Sequence, residues 1–216
     1  MEGIQLEKSN NIHISNHPLI GEKLSTLRSI NTSPELFRNL VAELTSLLIY
    51  EATLDLKTLS LDIETPLQKT RGMKIDGAIS IVPILRAGLG MVDSALKIIP
   101  EAKVWHIGVK RDEDTLEPIE YYVNKPNVEK TSTCIVLDPM LATGGSLSAV
   151  CSILKSWGVN NIRYIGLLAA PEGVKRLEDD HPDINMFVAS IDSHLDENGY
   201  IVPGLGDAGD RQFDTL

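Results

Sequence analysis

The sequence predicts an α/β protein built on an open, mostly parallel sheet flanked by helices on both faces. Three observations carry that expectation. Five short apolar runs, residues 78–82, 104–109, 134–137, 164–168 and 186–191, show no polar alternation, as strands buried on both faces read. Helix-patterned segments separate most of these runs, and strand–helix alternation implies parallel βαβ units. The chain has 216 residues, enough for one sizeable core, so a single domain over 1–216 is expected.

Taken in order, the first residues are polar and lack the apolar core of a signal peptide. Residues 31–56 read as a long amphipathic N-terminal helix, with Ser33 as N-cap and Pro34 in the first helical position, where its missing N–H costs nothing. Leu36, Leu40, Val41, Leu44, Leu47 and Leu48 recur at helical spacing. The strand at 78–82 leads to a helix at 88–99, and the next strand is 104–109. Residues 110–130 then connect two strands without a convincing helix. A connection of about 20 residues within a compact domain is a functional flap or an irregular segment. Its "IEYYV" is strand-like, so a flexible, hairpin-like arm is expected. After the strand at 134–137, Leu147, Val150, Cys151, Leu154 and Trp157 share one helix face, which Gly158 ends. The strand at 164–168, a helix at 172–183 and the strand at 186–191 follow. Residues 199–211 form a glycine-rich C-terminal loop.

Lys and Arg total 20 against 30 Asp and Glu, a net charge of −10. That balance disfavours non-specific nucleic-acid or anionic-membrane binding, and no stretch approaches the roughly 20 apolar residues of a membrane helix. Neither partner class is expected. The two cysteines, Cys134 and Cys151, form no CxxC pair and read as core residues in a reducing cytoplasm. The five histidines lack metal-ligand spacing, and His106 is expected inside a strand. No nucleophile elbow, zinc helix or Walker loop is present.

Three segments can carry chemistry. In "TCIVLDPMLATGGS" (133–146) an apolar strand stops at Asp138 and small, hydroxylated residues open a helix near Ser146. The amides and dipole of a helix N-terminus suit a phosphate, so Thr143, Gly144, Gly145 and Ser146 suit a phosphate monoester. Asp138, at the carboxyl end of a strand, can accept from sugar hydroxyls. In "ISIVPILRAGLGM" (79–91), Arg86 with Ala87 and Gly88 follows a strand, where amides and a guanidinium can fork onto a diphosphate. In "GYIVPGLGDAGDR" (199–211), Gly204, Gly206 and Gly209 match the G-x-G-x-x-G spacing. No βαβ unit and no acid about 20 residues on accompany it, so the dinucleotide reading is rejected.

Together these segments resemble the type I phosphoribosyltransferases. "VLDPMLATGGS" is similar to that family's phosphoribosyl-pyrophosphate motif. The second of its usual two adjacent acids is replaced here by Pro139, as in the uracil branch. The resemblance implies that Arg86, Ala87 and Gly88 form the pyrophosphate loop, that Arg111 reaches the diphosphate, and that Asp138 through Ser146 (Pro139, Met140, Leu141 and Ala142 included) hold the phosphoribosyl part. It implies further that Ile201, Gly206, Asp207 and Ala208 line a C-terminal base-binding hood for uracil. Asp207 would also face the sugar diphosphate or its metal, and Asp138, Arg86 and Asp207 would be the catalytic set. Mg2+ held mainly by the diphosphate, a homo-oligomer (dimer or tetramer) and GTP as a possible effector are implied likewise, although no segment reads as a dedicated GTP motif. Two alternatives stay open: a phosphoribosyltransferase for another base, and a pyrimidine-sensing RNA-binding regulator on the same fold.

Overall fold

The computed structural model describes residues 11–111, 118–123 and 131–215. In chain order its elements are β1 (Ile12–Ile14), α1 (Pro18–Arg28), α2 (Pro34–Ala52), β2 (Thr58–Glu64), β3 (Lys69–Ile75), β4 (Ala78–Leu85) and α3 (Leu89–Ile98). There follow β5 (Lys103–Val104), β6 (Ile107–Arg111), β7 (Pro118–Val123), β8 (Thr131–Leu137), β9 (Met140–Leu141), α4 (Gly145–Ser156) and β10 (Ile162–Ala169). The last are α5 (Pro171–Asp180), β11 (Asn185–Ile191), β12 (His194–Leu195), β13 (Ile201–Val202) and α6 (Ala208–Phe213).

The main sheet has the order β1-β11-β10-β8-β4-β6-β7, with β5 beside β4 and β9 beside β10. Its pairings are parallel except the β6–β7 hairpin. Successive residues of β8 enter opposite cores. Ile135 and Leu137 pack on the side of α1 and α2, while Cys134 and Val136 pack with Val150, Cys151 and Leu154 of α4. Burial on both faces explains why the sequence shows no polar alternation there.

α2 begins as expected. Ser33 Oγ accepts from the Leu36 amide at 3.3 Å, with Pro34 in the first turn. Its buried face runs through Phe37, Val41, Leu44, Leu48 and Ala52. Leu36, assigned to the stripe from sequence, is instead 42% exposed. The buried arc is centred about one residue further on, so Phe37 takes the place expected of Leu36.

Two further expectations change. Residues 104–109 are not one strand: they break between β5 and β6 at Trp105, whose amide still donates to the Ile81 carbonyl at 2.9 Å while its ring packs edge-on to Trp157, centroids 6.2 Å apart. His106, in the same break, is exposed rather than in a strand. β1, α1 and the β2–β3 hairpin were not expected. α1 buries only Ile20, Leu24 and Leu27, too thin a stripe to stand out. The β2–β3 hairpin forms its own two-stranded sheet and leaves Leu59, Ile63, Leu67, Met73 and Ile75 exposed. The expected arm at 110–130 is in part the β6–β7 hairpin; residues 112–117 and 124–130 lie outside the described residues.

Candidate active site

A cleft of about 330 Å³ opens at the carboxyl ends of the central strands, lined among others by Ala87, Asp138, Ser146, Tyr200, Gly206 and Asp207. Open α/β sheets bind ligands at that end. Residues from all three chemistry-bearing segments therefore meet in one place.

Asp138 sits in an interruption of a strand rather than at its end. Leu137 pairs with Ile165 and Met140 with Leu168, three residues on along both strands, so nothing is inserted and β9 continues the line of β8. Pro139 has no N–H to give the ladder, but its carbonyl accepts from the amides of Leu167 and Leu168, each at 3.0 Å. The Asp138 carbonyl accepts from the Tyr164 hydroxyl at 2.8 Å. Burial, and secondarily the Asp138 charge, hold that phenol well above its ordinary pKa, so it stays a neutral donor. The expectation of a strand ending in an acid and then a loop is thus corrected. The strand resumes for Met140–Leu141, because β10 runs past the break and offers it partners.

The turn into α4 passes through Gly144 at φ 79°, a left-handed conformation that favours glycine. Gly144 is the N-cap of α4 and, lacking a side chain, makes no side-chain cap bond itself. The amides and dipole of such a helix N-terminus suit an anion.

On the neighbouring strand, β4 ends at Leu85, followed by a cis Leu85–Arg86 peptide. Gly88 lies against backbone: a Cβ there would overlap the Leu137 carbonyl and stand 2.8 Å from the Ile84 amide nitrogen. The Arg86 side chain is 60% exposed, its Nη2 3.3 Å from Asp210 Oδ1. Ala87 lines the cleft and its carbonyl accepts from Gln212 Nε2 at 3.0 Å. Arg111 closes β6 opposite Pro118; its side chain lies outside the described residues.

The C-terminal segment is not wholly a loop. Ile201–Val202 pairs antiparallel with His194–Leu195, and Asp207 Oδ1 accepts from the Asp210 amide at 2.9 Å to cap the six-residue α6. A helix does follow Gly204 and Gly206, with Gly209 in its first turn, but the strand before it is a two-residue antiparallel one, so no βαβ unit is formed. Arg28 of α1 holds this segment in place. Its two terminal nitrogens stand 2.6 and 2.5 Å from the two oxygens of Asp192, and Nη1 also donates to the Gly204 carbonyl at 2.8 Å. The Gly204 amide returns a bond to Asp192 Oδ2 at 2.9 Å. Arg211 donates to the carbonyls of Leu205 at 2.8 Å and Ser29 at 2.6 Å, and its guanidinium lies 4.5 Å from the centre of the Phe37 ring.

Of the residues expected at the site, Ala87, Asp138, Met140, Leu141, Ala142, Gly144, Ser146, Ile201, Gly206, Asp207 and Ala208 line the cleft. Arg86, Gly88, Pro139, Thr143 and Gly145 are adjacent in the chain but not in the lining. Asn198, Gly199 and Tyr200 line it and were missed, as were the supporting Arg28, Asp192, Arg211 and Gln212. Asp192 had a usable signal, since "MFVASID" ends an apolar run in an acid as "CIVLD" does.

The model of the family described as "Uracil phosphoribosyltransferase" matches residues 14–215. A protein of that name from Roseiflexus castenholzii is 54% identical over 204 residues, covering 94% of this chain and 98% of its own. One from Listeria monocytogenes serotype 4a is 53% identical over 206 residues, covering 95% and 99%. Among solved structures, the AQ2163 protein from Aquifex aeolicus superposes with a TM-score of 0.89 at 39% identity, over 94% of this chain and 97% of that one. With the cleft at the carboxyl ends of an open parallel sheet and matches along almost the whole length, this chain belongs to the uracil phosphoribosyltransferase family.

Proposed function

We propose that the protein transfers the phosphoribosyl group of phosphoribosyl pyrophosphate to N1 of uracil, giving UMP and diphosphate, a step of pyrimidine salvage. The observation that carries this is a single cleft joining two unlike ends. One offers a carboxylate, Asp138, and the N-terminus of α4; the other is lined by Ile201, Gly206, Asp207 and Ala208. Family membership supports the same reading.

In the reaction the bond from the anomeric carbon to diphosphate breaks as a bond to N1 forms, through an oxocarbenium-like transition state, and the N1 proton passes to the departing diphosphate or to water. Residues 143–146 would take the phosphate monoester and Asp138 the ribose hydroxyls. Arg86, with the amides of Ala87 and Gly88, would bind the departing diphosphate; Arg111 is assigned to the same group. Holding both reactants in line supplies much of the rate, and fixed charges stabilise what develops on the leaving group. Backbone groups at 201–208 cannot rotate, so they favour the O4 acceptor and N3–H donor of uracil over the reverse pattern in cytosine. A mismatch would leave buried groups unpaired at about 1–3 kcal/mol each.

Mg2+, when bound, neutralises charge on the diphosphate. Among the described residues no group of three or more His, Cys, Asp or Glu could hold a metal. Asp138 and Asp207 are carboxylates that line the cleft, which fits an ion taking most of its oxygens from substrate and water. Asp207 Oδ1 also accepts the α6 capping bond, which holds that carboxylate at the cleft.

Assembly as a homo-oligomer is supported by the β2–β3 hairpin, because an isolated two-stranded ribbon is marginal in water and this one exposes apolar side chains. Sedimentation should give a dimer or tetramer. A reducing cytoplasm suits the two buried, unpaired thiols of Cys134 and Cys151. GTP is the effector to add to the assay.

The test is UMP formation from labelled uracil, phosphoribosyl pyrophosphate and Mg2+, with Asp138→Asn and Arg86→Ala beside the parent. The parent should turn over, and each variant should lose at least tenfold, about 1.4 kcal/mol of transition-state binding. No UMP from the parent would sink the reading. Consumption of another base instead would point to the alternative transferase. Binding of a pyrimidine-operon leader RNA at low salt would point to the regulator.

A further inference from the structure

α6 meets the loop after β4 through one side chain. Gln212 is fully buried, although its neighbours Arg211 and Phe213 are partly exposed. Its Nε2 donates to the Ala87 carbonyl at 3.0 Å, and its own carbonyl accepts from Arg38 Nη1 at 2.9 Å. Its Oε1 is buried and has no hydrogen-bond partner. Turning the amide over would set that oxygen against the Ala87 carbonyl, so the orientation is fixed by repulsion. Gly90 makes the room: a Cβ at residue 90 would overlap Oε1. An apolar side chain of the same length would fill this space without leaving an acceptor dry, which is costly in a core. What the amide adds is one bond, to the carbonyl of a cleft-lining residue two positions before Leu89 begins α3.

We propose that Gln212 is a positioning residue, which fastens the Arg86–Gly88 loop to α6 so that the diphosphate side and the base side of the cleft move as one body. Asp210 contributes a second contact across the same seam through Arg86. The assignment of the two sides rests on the function proposed above; the fastening itself does not.

The test uses Gln212→Met, which keeps length and apolar volume but cannot donate, with Gln212→Ala, Gly90→Ala and the double variant Gly90→Ala/Gln212→Ala. In Gln212→Met, amide exchange at residues 86–91 should rise about tenfold while β4 is unchanged, the scale of one hydrogen bond's net worth. The KM for phosphoribosyl pyrophosphate should rise by a similar factor at an unchanged melting temperature. Gly90→Ala should be the most damaged single variant, and removing the Gln212 side chain beside it should restore exchange to the level of Gln212→Ala alone. Unchanged exchange at 86–91, or activity lost only in proportion to melting temperature, would overturn the proposal. A parent that exchanges as expected but makes no UMP would instead remove the function and leave the fastening standing.

Discussion

Replacing Arg28 by alanine should loosen the base side of the cleft from a distance. The guanidinium gives up two contacts to Asp192, at 2.6 and 2.5 Å, and a third bond to the Gly204 carbonyl at 2.8 Å. The Asp192 side chain is 3% exposed, so water cannot take over. The carboxylate would keep the Gly204 amide at 2.9 Å and a weak Ser190 hydroxyl contact at 3.4 Å. Breaking a buried pair from one side costs about 3–5 kcal/mol, because the remaining charge is stranded. That is a large part of the roughly 5–15 kcal/mol that holds a domain together. Arg28→Lys keeps the charge without the planar fork and should fall between parent and alanine. The assay is a urea titration followed by circular dichroism, with the KM for uracil measured below the transition. An Arg28→Ala protein within 1 kcal/mol of the parent, a loss below the range expected for a stranded charge, and with an unchanged uracil KM would refute the clamp.

Other outcomes follow from single contacts. Tyr164→Phe leaves the Asp138 carbonyl without its hydroxyl donor and should cost about 1–3 kcal/mol of stability, read from the urea midpoint. Gly88→Ala places a methyl on the Leu137 carbonyl; overpacking of this kind costs about 1–3 kcal/mol, and UMP formation should fall with it. Acid should weaken the fold through three carboxylates held below the usual value of 3.8: Asp55 by its bond from Arg163, Asp180 by the Ser148 hydroxyl and Asp183 by Lys155. Because their folded values are depressed, their stabilisation is complete above that ordinary value and drains away as pH falls through the lowered ones. Urea midpoints measured across acid pH should therefore drop, and drop less in Asp55→Asn. Burial pushes the Cys151 thiol up to about 12 and raises that of Cys134 as well, so neither should react with a thiol reagent at neutral pH until urea opens the core.

The parts of the fold that could be read from sequence are those whose environment is uniform. β4, β8, β10 and β11 are buried on both faces, so they appear as unbroken apolar runs, and α4 carries a full apolar face ended by Gly158. The β2–β3 hairpin lacks such a signal because neither of its faces enters the core. The continuation of β8 into β9 was hidden by Pro139, which reads as a strand breaker. Only the register against β10 shows that the line persists. Within the site, Asp138 stands out because an apolar run stops at an acid and small residues follow from Ala142, and Gly206 because it precedes an acid in a glycine-rich segment. Arg28 and Gln212 do not, since each acts on a partner more than 120 residues away and no local spacing encodes such a pairing.

The clamps on the C-terminal segment also order the folding reaction. Arg28 reaches Asp192 across 164 residues, Arg38 reaches the Gln212 carbonyl across 174, and Arg211 reaches Ser29 across 182. Contacts of such separation reward the chain only after the intervening sheet has assembled, since loop closure must come first. The cleft's base side should then close late in folding and open below the global transition. Amides at 204–212 should accordingly exchange by sub-global opening while β10 exchanges only on complete unfolding. A ligand seated on that segment would draw its stabilising effect from this small reopening equilibrium, ahead of the core.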